Sequence, residues 1–116
     1  MRRMTELERA RVVAGECRSM DEVRAEIDRI DRALVALMAE RQAYIEAAAR
    51  IKDRESDVRV DWRIRDVIAK VLASADREGL SPRIAEPVWR ELVERCIEHE
   101  GDHFRRLRTV AAKKAS

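Results

Sequence analysis

The stretch SMDEVRAEIDRIDRALVALMAERQAYIEAAARIK, Ser19 to Lys52, holds neither proline nor glycine, and it dictates most of what this chain can fold into. Ser19 followed three residues on by Glu22 is a capping box, in which the serine oxygen and the glutamate carboxylate each accept from an amide at a helix start. The spacing predicts one helix over 19–52, about 50 Å long at a rise of ~1.5 Å per residue, which is longer than a small domain is wide. Its apolar residues alternate four and three apart through Val23, Ile27, Ile30, Leu34, Leu37, Tyr44, Ala48 and Ile51. This is the seam of a helix that packs lengthwise against other helices. Arg41 interrupts it. A guanidinium on such a seam requires a partner or a ligand, because an unpaired buried charge costs several kcal/mol.

Lys52 lies eleven residues beyond Arg41. At about 100° per residue it returns to within roughly 20° of the same direction, about 16 Å along the axis, so the two cations share a face. Arg24 stands about 25 Å before Arg41 and is turned by roughly 100°, which puts it out of easy reach of the same small ligand from the same helix.

A chain of 116 residues with 46% hydrophobic content, three glycines and two prolines reads as one all-α domain. Its core is modest, and self-association would help to bury the long seam. Charged residues make up 41% of the chain yet nearly cancel, to +2. That balance gives no strong argument for a nucleic-acid or membrane surface, whereas a sequence pI of about 8.8 suits an anionic ligand. Cys17 and Cys96 are isolated and read as free thiols. The N-terminus lacks the apolar core of a signal peptide, and no stretch is long enough to span a membrane, so a cytoplasmic location is expected.

In chain order, residues 1–18 read as a charged, frayed or partly helical arm, 19–108 as the helical domain and 109–116 (TVAAKKAS) as a frayed tail. The first helix ends at the charged run DRESDVRVD, which reads as a loop. Asp61 is the expected N-cap of a shorter second helix, with Ile64, Val67, Ile68, Val71, Leu72 and Ala75 as its buried stripe and Gly79 as its stop. Ser81-Pro82 then opens a third helix, which Pro87 would kink or delay. Its seam runs Trp89, Val93, Cys96, position 100, His103 or Phe104, and Leu107. Here the interruption is Glu100.

Two ionisable residues thus break two apolar seams, and two readings follow. Arg41 and Glu100 form a buried ion pair that fixes helix register. Alternatively, Arg41, Lys52 and Glu100 line a pocket between helices that suits a small dianion, with a desolvated carboxyl group able to donate a hydrogen bond. Arg63, in the first turn of the second helix, points into that pocket or into solvent. His99 and His103, four apart, invite a metal reading, but the spacing supplies no third ligand and a packing or solvated role suits them better. Trp62 and Trp89 read as core or interface residues.

The segments VRAEIDRID, AERQAYIEAAARIK and DREGLSPRIAEPVWREL resemble the all-helical chorismate mutases, and among them most closely the isochorismate pyruvate lyase branch, over roughly residues 17–107. The resemblance implies an intertwined homodimer of three-helix chains, with each active site borrowing one residue from the partner's first helix. Arg24 would be that donated residue, binding a substrate carboxylate. Arg41 would bind the other carboxylate, Lys52 the ether oxygen together with a carboxylate, and Arg63 would add to the carboxylate site. Glu100 would contact the ether oxygen of the enolpyruvyl group. The chemistry implied is pericyclic and needs no metal or cofactor.

Two positions depart from the chorismate mutase pattern. The acidic residue expected after the arginine of the second helix is Ile64, and Val60 near the other hydroxyl contact is also apolar, which favours the lyase branch. Glu100 stands where that branch carries glutamine. The sequence therefore leads first to a chorismate mutase making prephenate, with an isochorismate pyruvate lyase making salicylate and pyruvate as the alternative. A catalytically silent helical dimer is the competing class, and it requires none of Arg24, Arg41, Lys52, Arg63 and Glu100 at these spacings. Interleaved acidic residues and the lack of an aromatic-basic face disfavour nucleic acid.

Overall fold

A computed structural model describes residues 9–115; residues 1–8 of the expected arm lie outside the described part. Within it are three helices, α1 (Met20–Ile51), α2 (Asp61–Glu78) and α3 (Pro82–Ala115), with 3₁₀ turns at Ala14–Glu16 and Glu55–Asp57 and, among the described residues, no strand. The chain divides into two compact units, one ending at Gln42 and one beginning at Ala43. α1 runs across that division. Among the described residues no helix is long and apolar enough to cross a membrane.

In the first unit the capping box forms as the sequence predicts. The Glu22 amide donates to Ser19 Oγ at 3.2 Å, and the Glu22 carboxylate accepts from the Arg18 amide at 3.0 Å, one residue earlier than the usual reciprocal bond. The arm is docked as well as capped. The Arg11 and Val12 amides both donate to Glu26 Oε2, at 3.1 and 2.9 Å, while Arg29 Nε donates to Glu26 Oε1 at 2.7 Å. The Arg29 hydrogen bond, and after it the Val12 amide, hold the Glu26 carboxyl below its ordinary pKa.

The seam of α1 stays open in the single chain. Ile27, Ile30, Leu34 and Leu37 are 45 to 50% exposed, Tyr44 is 72% and Ile51 69%. A row of large apolar side chains at this exposure is unusual for the surface of an isolated soluble helix, and its spacing is that of a packing seam.

The second unit holds the end of α1, all of α2 and all of α3. The cap of α2 differs from expectation: Val60 is the N-cap, without a side-chain cap bond, and Asp61 is the first helical residue. There its carboxylate favours the positive end of the helix dipole. Gly79 ends α2 at φ 74°, with the Leu80 amide donating to the Ala75 carbonyl at 2.8 Å, a Schellman closure that only glycine adopts without strain. Ser81 Oγ then accepts from the Arg83 amide at 3.2 Å and starts α3. α3 runs unbroken through Pro87.

The tail expected over 109–116 is helical as far as Ala115. Alanine and lysine there are strong helix formers, and Thr109 Oγ1 closes back onto the Arg105 carbonyl at 2.9 Å. α2 lies against α3, with Ile68 and Ala75 facing inward from one and Ala85, Val93 and Phe104 from the other. Around the end of α1, Ala49, Val58 and Phe104 form a small cluster with Ile97 against it.

Because a depressed carboxyl pKa contributes stability that is lost only as pH falls through the lowered value, arm docking at Glu26 should survive the ordinary glutamate range and disappear below it. The Val12 amide proton resonance, followed by NMR, should titrate with a midpoint below the ordinary glutamate value, and that titration should vanish in Glu26→Ala. A midpoint at or above the ordinary value would contradict the docking geometry.

Candidate active site

Glu100 sits inside the packed face of α3, and its side chain is 6% exposed. A carboxyl group at that depth requires a hydrogen-bonding partner, and among the described residues no buried side-chain nitrogen or oxygen lacks one. The partner is Lys52 Nζ, 2.6 Å from Glu100 Oε2. Lys52 is the first residue after α1 and its side chain is 28% exposed, so one end of the pair is buried and the other reaches solvent. Such a pair can present an N–H donor to an incoming anion while the carboxyl oxygens stay desolvated.

The same end of α1 is held to α3 by two further links. His99 Nε2 lies 2.6 Å from Glu46 Oε2, and His99 stacks on His103 with ring centroids 6.3 Å apart. Of the two histidines, His99 thus meets α1 through Glu46, and His103 stacks on it within α3. Arg108 reaches back from α3 to the carbonyls of Ala49, at 2.8 Å, and of Lys52. Neither link was legible in the sequence. His99 and Glu46 are 53 residues apart, and Arg108 fell at the end of the region read as helical domain.

Arg63 belongs to the same unit and takes a different partner. Its guanidinium donates to Asp66 Oδ2 at 2.5 Å, and Lys70 Nζ joins the same oxygen at 3.1 Å. Lys70 and then Arg63 hold the Asp66 carboxyl below its ordinary pKa. At 54% exposure Arg63 is free to swing out of this triad at modest cost, because surface ion pairs contribute little. Val60 and Ile64, the apolar departures from the chorismate mutase pattern, flank it at the start of α2 and are half-buried.

Arg24 and Arg41 belong to the first unit. Arg24 is exposed near the start of α1, and Arg41 is half-buried on the interrupted seam. Of the five candidate residues, Lys52 and Glu100 are joined directly, while Arg24 and Arg41 stand on α1 and Arg63 on α2.

Residues 23–101 match the family described as chorismate mutase type II, and that span covers well over half of the chain. The chain belongs to this family. It is also 25% identical, over 96 residues, to the isochorismate pyruvate lyase of Pseudomonas aeruginosa, an alignment that covers 83% of this chain and 95% of that protein.

Removing the ammonium of Lys52 leaves the Glu100 carboxylate desolvated and without its cation. Lys52→Ala should destabilise the protein by about 2 kcal/mol in urea unfolding, less than the ~3–5 kcal/mol of a fully buried pair because Lys52 is partly solvated. Adding Glu100→Gln to Lys52→Ala should recover much of the loss. A Lys52→Ala protein as stable as the parent would contradict this.

Proposed function

We propose that the chain is a chorismate mutase, converting chorismate to prephenate, and that it works as an intertwined homodimer. The observation that carries this reading is the Lys52–Glu100 pair at 2.6 Å, with Glu100 almost fully buried, in a chain of the chorismate mutase type II family. The reaction breaks the C–O bond of the enolpyruvyl ether as a C–C bond forms, and negative charge grows on the ether oxygen. Lys52 donates to that oxygen and to a substrate carboxylate. Glu100, when protonated, donates to the oxygen as well. Arg41 binds the second carboxylate, with Arg63 adding to the carboxylate site once released from Asp66. Arg24 enters from the partner's first helix. Holding the substrate in its reactive diaxial conformer supplies the rest of the rate, so the chemistry needs no nucleophile, metal or cofactor.

The dimer reading rests on the open seam of α1, whose exposed isoleucines and leucines gain most by covering one another in a second copy. A second reading of the activity is an isochorismate pyruvate lyase, releasing pyruvate and leaving salicylate. Two observations favour it: the name of the Pseudomonas aeruginosa relative, and the apolar Val60 and Ile64 where the mutase pattern has ring-hydroxyl partners.

Incubating the purified protein separately with chorismate and with isochorismate, and identifying the products, tests both. Prephenate from chorismate is the expected result; salicylate and pyruvate from isochorismate would assign the second reading, and no turnover of either would overturn the proposal. Light scattering should give two chains per particle, and Arg41→Ala should remain a folded dimer while losing turnover by a factor on the order of 10² or more. A fully active monomer would contradict the dimer reading.

A further inference from the structure

The end of α1 has no cap of its own. The sequence IKDRES carries no glycine after the last helical turn, and Gly79 is the one residue with positive φ among those described. The last carbonyls of a helix need donors from elsewhere when no left-handed residue turns the chain back onto them. α3 supplies them. Arg108 Nη1 donates to the Ala49 carbonyl at 2.8 Å, and Arg108 Nη2 donates to the carbonyl of Lys52. The planar fork thus spans one helical turn, and its charge sits at the negative end of the α1 dipole. The guanidinium carbon lies 3.7 Å from the centroid of Phe104, itself part of the Ala49–Val58–Phe104 cluster, so stacking fixes the fork in place.

The second carbonyl belongs to the residue whose side chain meets Glu100. We propose that Arg108 is a positioning residue for Lys52: by holding the main chain where α1 ends, it sets where the Lys52 ammonium stands relative to Glu100 and to the substrate. The catalytic part of this inference rests on the function proposed above; the part about Lys52 geometry does not. Arg108 and Glu100 are eight residues apart on one rigid helix, so α3 carries both the group that aims Lys52 and the group that Lys52 touches. Any shift of α1 against α3 is then resisted at the backbone and at the side chain of the same residue.

A neighbouring arginine gives the control. Arg105 also ties α3 to the α1–α2 connection, pairing with Glu55 at 3.1 Å and with Asp102, and it lies across Gly101, where an added Cβ would come within 3.4 Å of its guanidinium. It holds the connection without touching Lys52 or Glu100.

The test compares Arg108→Ala, Arg108→Lys and Arg105→Ala by two readouts, one free of any assumption about substrate. The first is the ¹H–¹⁵N signal of the Lys52 ammonium, identified by its absence in Lys52→Arg and slowed in exchange by its bond to Glu100. Arg108→Ala should lose or broaden this signal, Arg108→Lys should regain part of it, and Arg105→Ala should keep it. The second is turnover of chorismate or isochorismate. There Arg108→Ala should lower kcat by about ten- to hundredfold while KM moves by less than about threefold, and Arg105→Ala should stay within about threefold of the parent in both.

An unchanged ammonium signal in Arg108→Ala would overturn the inference, as would equal losses in Arg108→Ala and Arg105→Ala. If the parent turns over neither compound, the functional reading falls while the ammonium signal still decides the role of Arg108. Should Arg108→Ala fail to fold, Arg108→Gln, which keeps one NH₂ group but neither the charge nor the fork, carries the same comparison.

Discussion

A carboxyl group buried in a helix seam has to be answered by a cation, and in this chain the answer comes from one residue past the end of another helix. Glu100 draws Lys52 to within 2.6 Å, and the structure of the second unit follows from that demand. α1 has to remain helical to Ile51 so that Lys52 emerges at the right height, and its last turns have to be pinned to α3 because no local cap holds them. His99 with Glu46, Phe104 with Ala49, and Arg108 with the carbonyls of Ala49 and Lys52 do this together. Each is a modest interaction. Their common target is the last two turns of α1, so they reinforce one another where independent surface contacts would not.

The other constraint is the seam of α1, which leaves large apolar side chains about half exposed along the helix. Burying one such side chain contributes roughly 1.5–3 kcal/mol, so a second copy that covered several of them on both chains would gain far more than loss of free motion costs. An apolar row left open in this way, with an arginine within it, suits the proposed dimer. The proposed site uses the same economy: residues from one helix serve a ligand, and the remainder of that helix serves assembly.

Much of this was legible in the sequence because it rests on local rules. The capping box at Ser19 and Glu22, the left-handed stop at Gly79, the Ser81-Pro82 start and the apolar stripes of α2 and α3 depend on residues within one or two turns of each other, and they formed as read. Glu100 was visible as a charge interrupting the apolar seam of α3, and Lys52 as a cation on the face of Arg41, the charge that interrupts the seam of α1. What the sequence did not disclose was long-range pairing. His99 with Glu46 and Arg108 with Lys52 bring together residues more than fifty positions apart, and a histidine or arginine near a helix end looks the same whether it meets solvent or a distant carbonyl. Asp61 shows the limit of a local rule. It has the composition of an N-cap, yet Val60 takes that place, and the carboxylate serves the helix dipole from the first turn.

Under the proposed function, Lys52 and Glu100 serve a ligand as well as joining the end of α1 to α3. Replacing both with apolar residues of similar size, Lys52→Met together with Glu100→Leu, separates the two, because a structural ion pair can be exchanged for packing at little or no loss of stability. Thermal unfolding and turnover should be measured on the same preparation. The double variant should be at least as stable as the parent and convert neither chorismate nor isochorismate; a double variant that turns over substrate at the parent's rate would contradict the proposed role of the pair.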